Sequence, residues 1–177
     1  MPPPRSDTVP FLAANADRIT VGVADLQTSK DASRTIITYA LGSCIGVTVW
    51  DPILRAGGML HFMLPEAAIS QLRAAENPSM FGDTGFPMLL DRVLALGARR
   101  ERLIICAAGG AEVLADEGHF RIGSRNRTLL RKLLWKHGML LSADDTGGSH
   151  SRTLSLRLAD GSIIVRSQGK ERALWPS

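Results

Sequence analysis

Hydrophobic and polar positions along the chain alternate in short blocks separated by turn residues, and two longer blocks have the spacing of helices. Alternating or continuous apolar runs that are rich in β-branched residues predict strands. These runs cover residues 19–26, 35–39, 45–50, 60–63, 102–107, 139–143, 153–158 and 162–166. Asp51-Pro52 and Gly57-Gly58 predict a turn between the third and fourth runs, and Asp160-Gly161 predicts a hairpin between the last two.

Two apolar stripes with helical spacing predict the main helices. The first runs from Gly85 and is ended by Gly97, with Asp83 or Thr84 as its predicted cap. The second covers residues 125–137 and is stopped by Gly138. A short helix is predicted over residues 66–75. Polar loops are predicted over residues 28–34, 76–82 and 144–152, and Phe81 in the second of these is expected to be exposed.

Strands outnumber helices and are joined mostly by short turns, so the predicted class is α+β. We expect a single compact layered domain with a mostly antiparallel or mixed sheet and two main helices packed outside. A length of 177 residues fits one domain with a real core. The expected boundaries are a loose N-terminal arm over residues 1–18, the folded domain over 19–167 and a tail over 168–177.

Candidate chemistry lies in the third and fourth predicted strands. Cys44 comes just before one strand, and His61 lies in the other. Two strands joined by a turn can bring these side chains together. An imidazole next to a thiol accepts its proton, the imidazolium stabilises the thiolate, and the thiolate attacks a carbonyl. The imidazolium then protonates the departing group.

Small residues surround this cysteine in the run Gly-Ser-Cys-Ile-Gly over residues 42–46. Their backbone N–H groups are candidates to stabilise an oxyanion, and we name Gly42, Ser43 and Gly58 as candidate oxyanion or substrate-binding positions. Ser43 is a rival nucleophile, but no separate base is evident for it. A strand rather than a helix follows Cys44, which disfavours the nucleophile elbow of α/β-hydrolases.

Several motifs in order resemble the CheD family of chemoreceptor glutamine deamidases. They are Leu-Gly-Ser-Cys over residues 41–44, Gly-Gly-Met-Leu-His-Phe-Met-Leu-Pro over 57–65, Gly-Gly-Ala over 109–111, Ile-Gly-Ser-Arg-Asn over 122–126 and Asp-Thr-Gly-Gly over 145–148 with Arg152. The resemblance implies a fold related to deamidating toxins. It also implies that a threonine, here Thr38, completes the Cys44–His61 pair by orienting the histidine.

The resemblance further implies a reaction and partners. Cys44 would attack the side-chain amide of a receptor glutamine, His61 would transfer the thiol proton to leaving ammonia, and water would hydrolyse the thioester to glutamate. The expected substrate is the cytoplasmic helical domain of a chemoreceptor. A CheC-type phosphatase is a possible partner, and the expected location is the cytoplasm, with possible recruitment to receptor arrays.

The amino-acid composition argues against several other kinds of protein. The chain has only two cysteines, Cys44 and Cys106, so no disulfide framework is predicted, and Cys106 is interpreted as a small buried hydrophobe. No histidine has a usual metal spacing, and we predict neither a metal nor a cofactor. No apolar run is long enough to span a bilayer, so no direct membrane insertion is predicted.

Three alternatives remain open. Five basic residues lie on the second helix, namely Arg125, Arg127, Arg131, Lys132 and Lys136. A solvated helix face is the preferred interpretation of these residues over a nucleic-acid surface, because no aromatic stacking set is interleaved with them. A non-catalytic chemotaxis adaptor is the second alternative. Another cysteine-dependent amide hydrolase, such as a peptidase or a transglutaminase, is the third.

Overall fold

Two five-stranded sheets and a layer of helices make up the computed structural model, which describes residues 17–112 and 121–176. The strands are β1 Arg18–Thr20, β2 Asp25–Ser29, β3 Thr35–Leu41, β4 Ile45–Asp51, β5 Ala56–Phe62, β6 Ile104–Gly109, β7 Ala143–Thr146, β8 Arg152–Arg157, β9 Ile163–Ser167 and β10 Lys170–Trp175. The helices are α1 Gln71–Glu76, α2 Gly82–Ala95 and α3 Ile122–Lys136. Short 3-10 turns cover Ala67–Ile69, Pro78–Met80 and Arg100–Arg102.

The first sheet has the strand order β1-β3-β8-β9-β10, and the second has the order β2-β5-β4-β6-β7. Most neighbouring strands are antiparallel, but β1 with β3 and β6 with β7 are parallel. Both sheets are therefore mixed, and the predicted α+β class with two main outer helices is confirmed.

Strands β4 and β5 lie in the middle layer, which explains why every one of their residues is buried. Side chains alternate across a strand, so each of these strands serves two cores. Val47 and Leu60 belong to the core that α2 and α3 cover, whereas Trp50 and Met59 belong to the core between the two sheets. His61 lies two residues from Met59 on the same strand and therefore also faces the first sheet.

The predicted first strand, residues 19–26, is wrong as a single element. The chain leaves β1 after Thr20 and enters β2, in the other sheet, at Asp25. Ala24 between them has a φ of +55°, in the left-handed region that interrupts an extended strand. Hydrophobic alternation does not reveal this change of sheet, because both strands are half-buried.

The C-terminal tail prediction is also wrong, since β10 pairs with β9 as an antiparallel edge strand. The first four residues of β10 are exposed, so its sequence lacks an apolar alternation; Leu174 is inserted into the core between the sheets, and Trp175 packs against it. Residues 1–16 of the predicted arm and the predicted loop position His119 lie outside the described residues.

Three local predictions are wrong because contacts with distant segments bury or hydrogen-bond the residues in ways that the local pattern does not show. The strand expected over residues 139–143 begins only at Ala143, since Met139 packs into the helical core and Leu140 is exposed. Phe81 is fully buried, not exposed. Helix α2 begins at Gly82, and the hydroxyl of Thr84 donates to Pro78 O at 2.6 Å instead of capping the helix.

Asp51 closes the β4–β5 turn from a fully buried position. Burial raises the pKa of Asp51. A 2.6 Å ion pair with Arg102 and hydrogen bonds from the N–H groups of Arg99, Leu54 and Ile53 together lower it by more, so that the pKa is about 2. Because this is below the ordinary value of 3.8, the carboxylate contributes stability above pH 4 that is lost as the pH falls towards 2. The strand-turn-strand unit carrying the candidate site depends on this buried ion.

We expect Asp51→Ala to lower the free energy of unfolding by about 2–4 kcal/mol, since it leaves the Arg102 guanidinium and three N–H groups without their acceptor. Urea unfolding followed by circular dichroism measures the change. Asp31→Ala is the matched control, because Asp31 also accepts a turn N–H and pairs with an arginine, but is exposed. Equal losses of stability in the two variants would contradict the role assigned to burial.

Candidate active site

The candidate site lies between the two sheets, at the end where β4 begins and β5 finishes. His61 and Thr38 are both fully buried, one on each sheet, and the hydroxyl oxygen of Thr38 lies 2.8 Å from His61 Nδ1. The structure therefore brings these two predicted residues together across the space between the sheets.

The same hydroxyl fixes the tautomer of the imidazole. Thr38 Oγ1 is also 2.8 Å from the carbonyl oxygen of Val21, which can only accept. The single hydroxyl proton is donated to Val21, so Thr38 must accept from His61 Nδ1–H. The neutral imidazole then has its lone pair on Nε2, and that atom is buried with no hydrogen-bond partner among the described residues. An unpaired Nε2 with this tautomer is a base ready to accept a proton.

Cys44 lies just before β4 and is half-buried. In the β4–β5 ladder Gly46 is opposite His61, and Cys44 lies two residues before Gly46, just outside the ladder and on the diagonal from the histidine. Diagonal neighbours within a ladder are about 7–8 Å apart at the backbone, so the bend places the thiol in the neighbourhood of the imidazole. Cys44 also packs against the core between the sheets, which is the layer that His61 faces.

A β-bulge directs the chain from Thr38 towards Cys44. Between Thr38 and Leu41, β3 has one residue more than its partner β8, and Ala40 within the bulge has a φ of +56°. A bulge of this kind bends the strand and changes where the next side chains point. The extra residue turns the chain into the bend over residues 42–44 that leads to β4.

Three consecutive carbonyls hold this bend in place. Gly42 O accepts from Ala111 N–H at 2.9 Å, Cys44 O accepts from Gly110 N–H at 2.8 Å, and Ser43 O accepts from the Asn126 side chain at 3.0 Å. Gly109 permits this close approach, because a Cβ there would lie 2.2 Å from Cys44 O and its φ is +106°. The Gly-Gly-Ala motif thus supports the cysteine.

The loop after β7 supports the Gly-Gly-Ala motif in turn. Gly147 N–H donates to Gly109 O, and Glu112 N–H donates to Gly148 O, both at 2.9 Å. Arg152 is buried, donates to Gly147 O at 2.8 Å and forms an ion pair with Asp145 at 3.0 Å. The motifs over residues 145–148 and at Arg152 are therefore a second layer of support, not contacts of the thiol.

Asn126 was not predicted as a site residue, although it lies in one of the quoted motifs. Its side chain is fully buried and bridges Ser43 O and Met63 O, at 3.0 and 2.9 Å. The five basic residues of this helix stand out in its sequence, whereas its single asparagine does not. The signal that was present is a polar residue on the apolar side of α3, three positions before Leu129.

The other predicted positions have different outcomes. Gly42 and Ser43 lie in the bend next to Cys44, as the sequence predicted. Gly58 does not, because it lies three residues before His61 on β5, about 10 Å away at 3.3 Å per residue, and on the opposite face of the strand. A Cβ at Gly58 would meet Thr28 and Leu89 side chains at 2.6 and 2.8 Å, so this glycine permits packing against β2 and α2. The oxyanion or substrate-binding role of Gly58 stays a prediction, and this geometry does not favour it.

Burial keeps both groups of the pair neutral. It lowers the pKa of His61 to about 4 and raises the pKa of the Cys44 thiol above its ordinary value of 9.0, with a smaller opposing effect from the cysteine's own N–H. The resting pair is therefore a thiol with a neutral imidazole, not the thiolate–imidazolium pair that the sequence suggested. Proton transfer must accompany attack on a substrate. Burial also raises the pKa of Cys106, to about 12, and this cysteine is fully buried, as interpreted.

Four of the five basic side chains of α3 lie on its outer face, whereas Arg127 is half-buried beside Gly110 and Gly147. Arg125, Lys132 and Lys136 are exposed. Arg127 and Arg131 lie 3.7 and 3.8 Å from the carboxylates of Glu112 and Asp144. This arrangement fits a solvated helix face. Within residues 17–112 and 121–176, no three potential ligand side chains are grouped as a metal site, and no helix is long and apolar enough to cross a membrane.

Comparison with known proteins agrees with the motifs. The family model described as CheD chemotactic sensory transduction matches residues 63–167. The chain is similar to the probable chemoreceptor glutamine deamidase CheD of Solibacter usitatus, with 47% identity over 91% of this chain and 95% of that protein. It is 45% identical to the probable chemoreceptor glutamine deamidase CheD 2 of Anaeromyxobacter dehalogenans and 41% identical to the CheD of Pyrococcus abyssi. Both alignments cover 84% of this chain, with 94% and 90% of those proteins.

A buried imidazole with a free Nε2, hydrogen-bonded across two sheets, lies near a half-buried thiol, and these are the two kinds of group that cysteine-dependent acyl transfer requires. The α+β fold and the order of the sequence motifs agree with one family of such proteins. The chain belongs to the CheD family.

The neutral resting pair predicts how Cys44 reacts with pH. We expect the rate of its alkylation by iodoacetamide to stay level between about pH 5 and 8, where neutral His61 accepts the thiol proton during attack, and to rise from about pH 8 to 10, because the thiolate fraction still rises there when the thiol pKa is above 9. Mass spectrometry of the modified peptide measures this rate, and Cys44→Ala shows any reaction of buried Cys106. A rate that stays constant from about pH 5 to 10 would instead show a preformed ion pair.

We predict that the Thr38 hydroxyl contributes to activity by keeping the proton of the His61 imidazole on Nδ1. Thr38→Val keeps the side-chain shape but leaves Nδ1–H without its acceptor, so we expect kcat for amide hydrolysis to fall about 10- to 100-fold with little change in KM. Thr38→Ser retains the hydroxyl and should keep most of the activity. The roles assigned to the two atoms would be wrong if the valine and serine variants had the same kcat.

Proposed function

We propose that this protein hydrolyses glutamine side-chain amides of chemoreceptors to glutamate, releasing ammonia, with Cys44 as nucleophile, His61 as base and acid, and Thr38 as the residue that orients His61. The observation that carries the proposal is the hydrogen-bond pattern of Thr38, which leaves Nε2 as the free nitrogen of the imidazole. Three relatives, each named a probable chemoreceptor glutamine deamidase, supply the substrate class.

In the first step, His61 Nε2 takes the thiol proton as the sulfur of Cys44 forms a bond to the carboxamide carbon. The carbonyl electrons move to oxygen and give a tetrahedral oxyanion. The imidazolium then gives its proton to the amide nitrogen, the C–N bond breaks, and ammonia leaves a thioester. A base with a pKa of about 4 takes this proton only as the new bond forms, and it returns the proton readily as an acid.

The second step uses the same groups in reverse roles. Ammonia leaves the site, and water takes its place. His61 Nε2 removes a proton from the water as its oxygen attacks the thioester carbon. The C–S bond then breaks, the imidazolium returns its proton to the sulfur of Cys44, and the carboxylic acid that forms loses its proton to solvent to give glutamate. The receptor side chain gains one negative charge for each amide that is hydrolysed.

The backbone of the bend supports stabilisation of the oxyanion by the N–H groups of Ser43 and Cys44. In a trans peptide the carbonyl and the following N–H point in opposite directions. Gly42 O points to Ala111 and Ser43 O points to Asn126, so the N–H groups of Ser43 and Cys44 point away from these supports. The described backbone hydrogen bonds outside helices and strands include no donation from either group. Two such donors are the usual content of an oxyanion hole.

We assign the deamidase domain to residues 19–167, extended by strand β10, whose Leu174 helps to close the core between the sheets. The proposed place of action is the cytoplasmic helical domain of the receptor, with recruitment to receptor arrays through that substrate. The CheC-type phosphatase stays a predicted partner, suggested by the family resemblance alone.

The test is ammonia release from a purified chemoreceptor cytoplasmic fragment, with products located by peptide mass. We expect wild type to convert specific glutamines to glutamate, a mass gain of about one dalton, and Cys44→Ala and His61→Ala to lower kcat by at least about 1,000-fold while the fold is retained. Cys106→Ala is the matched control, because it removes the other thiol without touching the site.

Other outcomes identify the competing functions. Full activity of Cys44→Ala would overturn the mechanism. Peptide cleavage or amine crosslinking in place of deamidation would identify a different acyl-transfer enzyme. Receptor or phosphatase binding that survives in Cys44→Ala, with no ammonia from wild type, would identify an adaptor.

A further inference from the structure

The two segments that carry the proposed catalytic groups separate at the end of the sheet where the site is formed. The β4–β5 ladder ends at the pair Ile45 and Phe62, so no strand pairing fixes the distance between the bend over residues 42–44 and Met63. Beyond that point the chain after β5 turns away, with the N–H of Met63 donating to Met80 O at 2.9 Å. Something other than the sheet must hold the bend against the end of β5.

We propose that Asn126 is the positioning residue that holds Cys44 at the distance from His61 that proton transfer requires, an inference that rests on the proposed function of this pair. Its Nδ2 donates one hydrogen to Ser43 O, next to the nucleophile, and the other to Met63 O, two residues after the base. One amide nitrogen therefore takes the place of the missing rung of the ladder.

The amide is held rigidly in this orientation. Both partners are carbonyls, which only accept, so the NH₂ group must face them. The side chain is fully buried, and Gly123 brings α3 so close that a Cβ there would lie 2.3 Å from Ala111 O. A rigid donor on a docked helix fixes a distance better than a flexible surface contact does.

The other end of the amide distinguishes this bridge from ordinary structural asparagines. Asn126 Oδ1 is buried without a partner among the described residues, which costs free energy. Asn77 also joins two backbone segments, but it uses both ends: Nδ2 donates to Ala24 O at 2.9 Å and Oδ1 accepts from Ser79 N–H at 3.1 Å. At Asn126 both Nδ2 hydrogens are donated, to Ser43 O and Met63 O, while Oδ1 stays buried and unpaired.

The first experiment measures kcat and KM for ammonia release by Asn126→Ala, well below its unfolding temperature. A displacement of about 1 Å between reacting groups costs about 100-fold in rate, so we expect kcat to fall by about that factor and KM to change less than about threefold. Asn77→Ala is the matched control and should keep a wild-type kcat. Asn126→Ser, which retains one donor, replaces the alanine variant if that variant does not fold.

The second experiment needs no substrate. Iodoacetamide alkylation of Cys44 is compared in wild type, His61→Ala, Asn126→Ala and the double variant. In the wild-type background, removing His61 should slow alkylation at pH 7 at least about tenfold, because the imidazole no longer accepts the thiol proton. In the Asn126→Ala background the same removal should have less than about a threefold effect, because the two groups are no longer held together.

Equal kcat for the Asn126 and Asn77 variants would overturn the proposal. So would an effect of His61→Ala that is the same in both backgrounds or absent from wild type. If wild type releases no ammonia from the receptor fragment, the proposed substrate fails, while the alkylation cycle still decides whether Asn126 couples Cys44 to His61.

Discussion

The hydrogen bond between Thr38 and His61 joins the two sheets, and the rest of the site is arranged around it. An imidazole buried between sheets loses its hydration, and one hydrogen bond through Nδ1 offsets part of that cost. The second nitrogen, Nε2, has no partner among the described residues. The hydrogen bond at Nδ1 fixes the orientation of the ring, and the unpaired Nε2 is left to accept a proton. The Val21 carbonyl completes the constraint, because without it the hydroxyl proton would be free to point at the ring.

Cys44, the proposed nucleophile, is held by backbone contacts and not by its own side chain. Its bend follows a strained bulge at Ala40 and is fixed by N–H groups of the Gly109–Ala111 turn and by the amide of Asn126. These supports come from β3, from the end of β6 and from α3, three elements far apart in sequence. The thiol itself stays half-buried, which is the exposure that a nucleophile needs if it is to meet an amide carried by another protein.

Burial determines the proposed chemistry as much as geometry does. Because the thiol pKa is raised and the imidazole pKa is lowered, the resting pair carries no net charge separation. A neutral thiol is less exposed to oxidation and alkylation than a thiolate is. The proposed mechanism therefore forms the thiolate only when a carbonyl carbon is in place and the two N–H groups of the bend receive the developing charge.

The sequence by itself determined the elements whose pattern is local. The apolar runs of β4, β5, β8 and β9, the apolar stripes of α2 and α3 and the Asp160-Gly161 turn could be predicted, because side-chain periodicity records which faces are buried. The turn expected at Gly57-Gly58 was wrong, because both glycines lie within β5. The motifs around Cys44 and His61 also indicated the family and the candidate pair. The likeness between this pattern and a known family carried more of the functional prediction than composition or charge did.

Only the tertiary structure decided how these pieces meet. The change of sheet at Ala24, the edge strand β10 and the packing role of Gly58 depend on contacts between distant segments, which leave no periodic trace in the sequence. The tautomer of His61 and the bridge made by Asn126 were equally hidden. Each depends on carbonyl groups, of Val21, Ser43 and Met63, and every residue has a carbonyl, so side-chain identity does not show which of them is used.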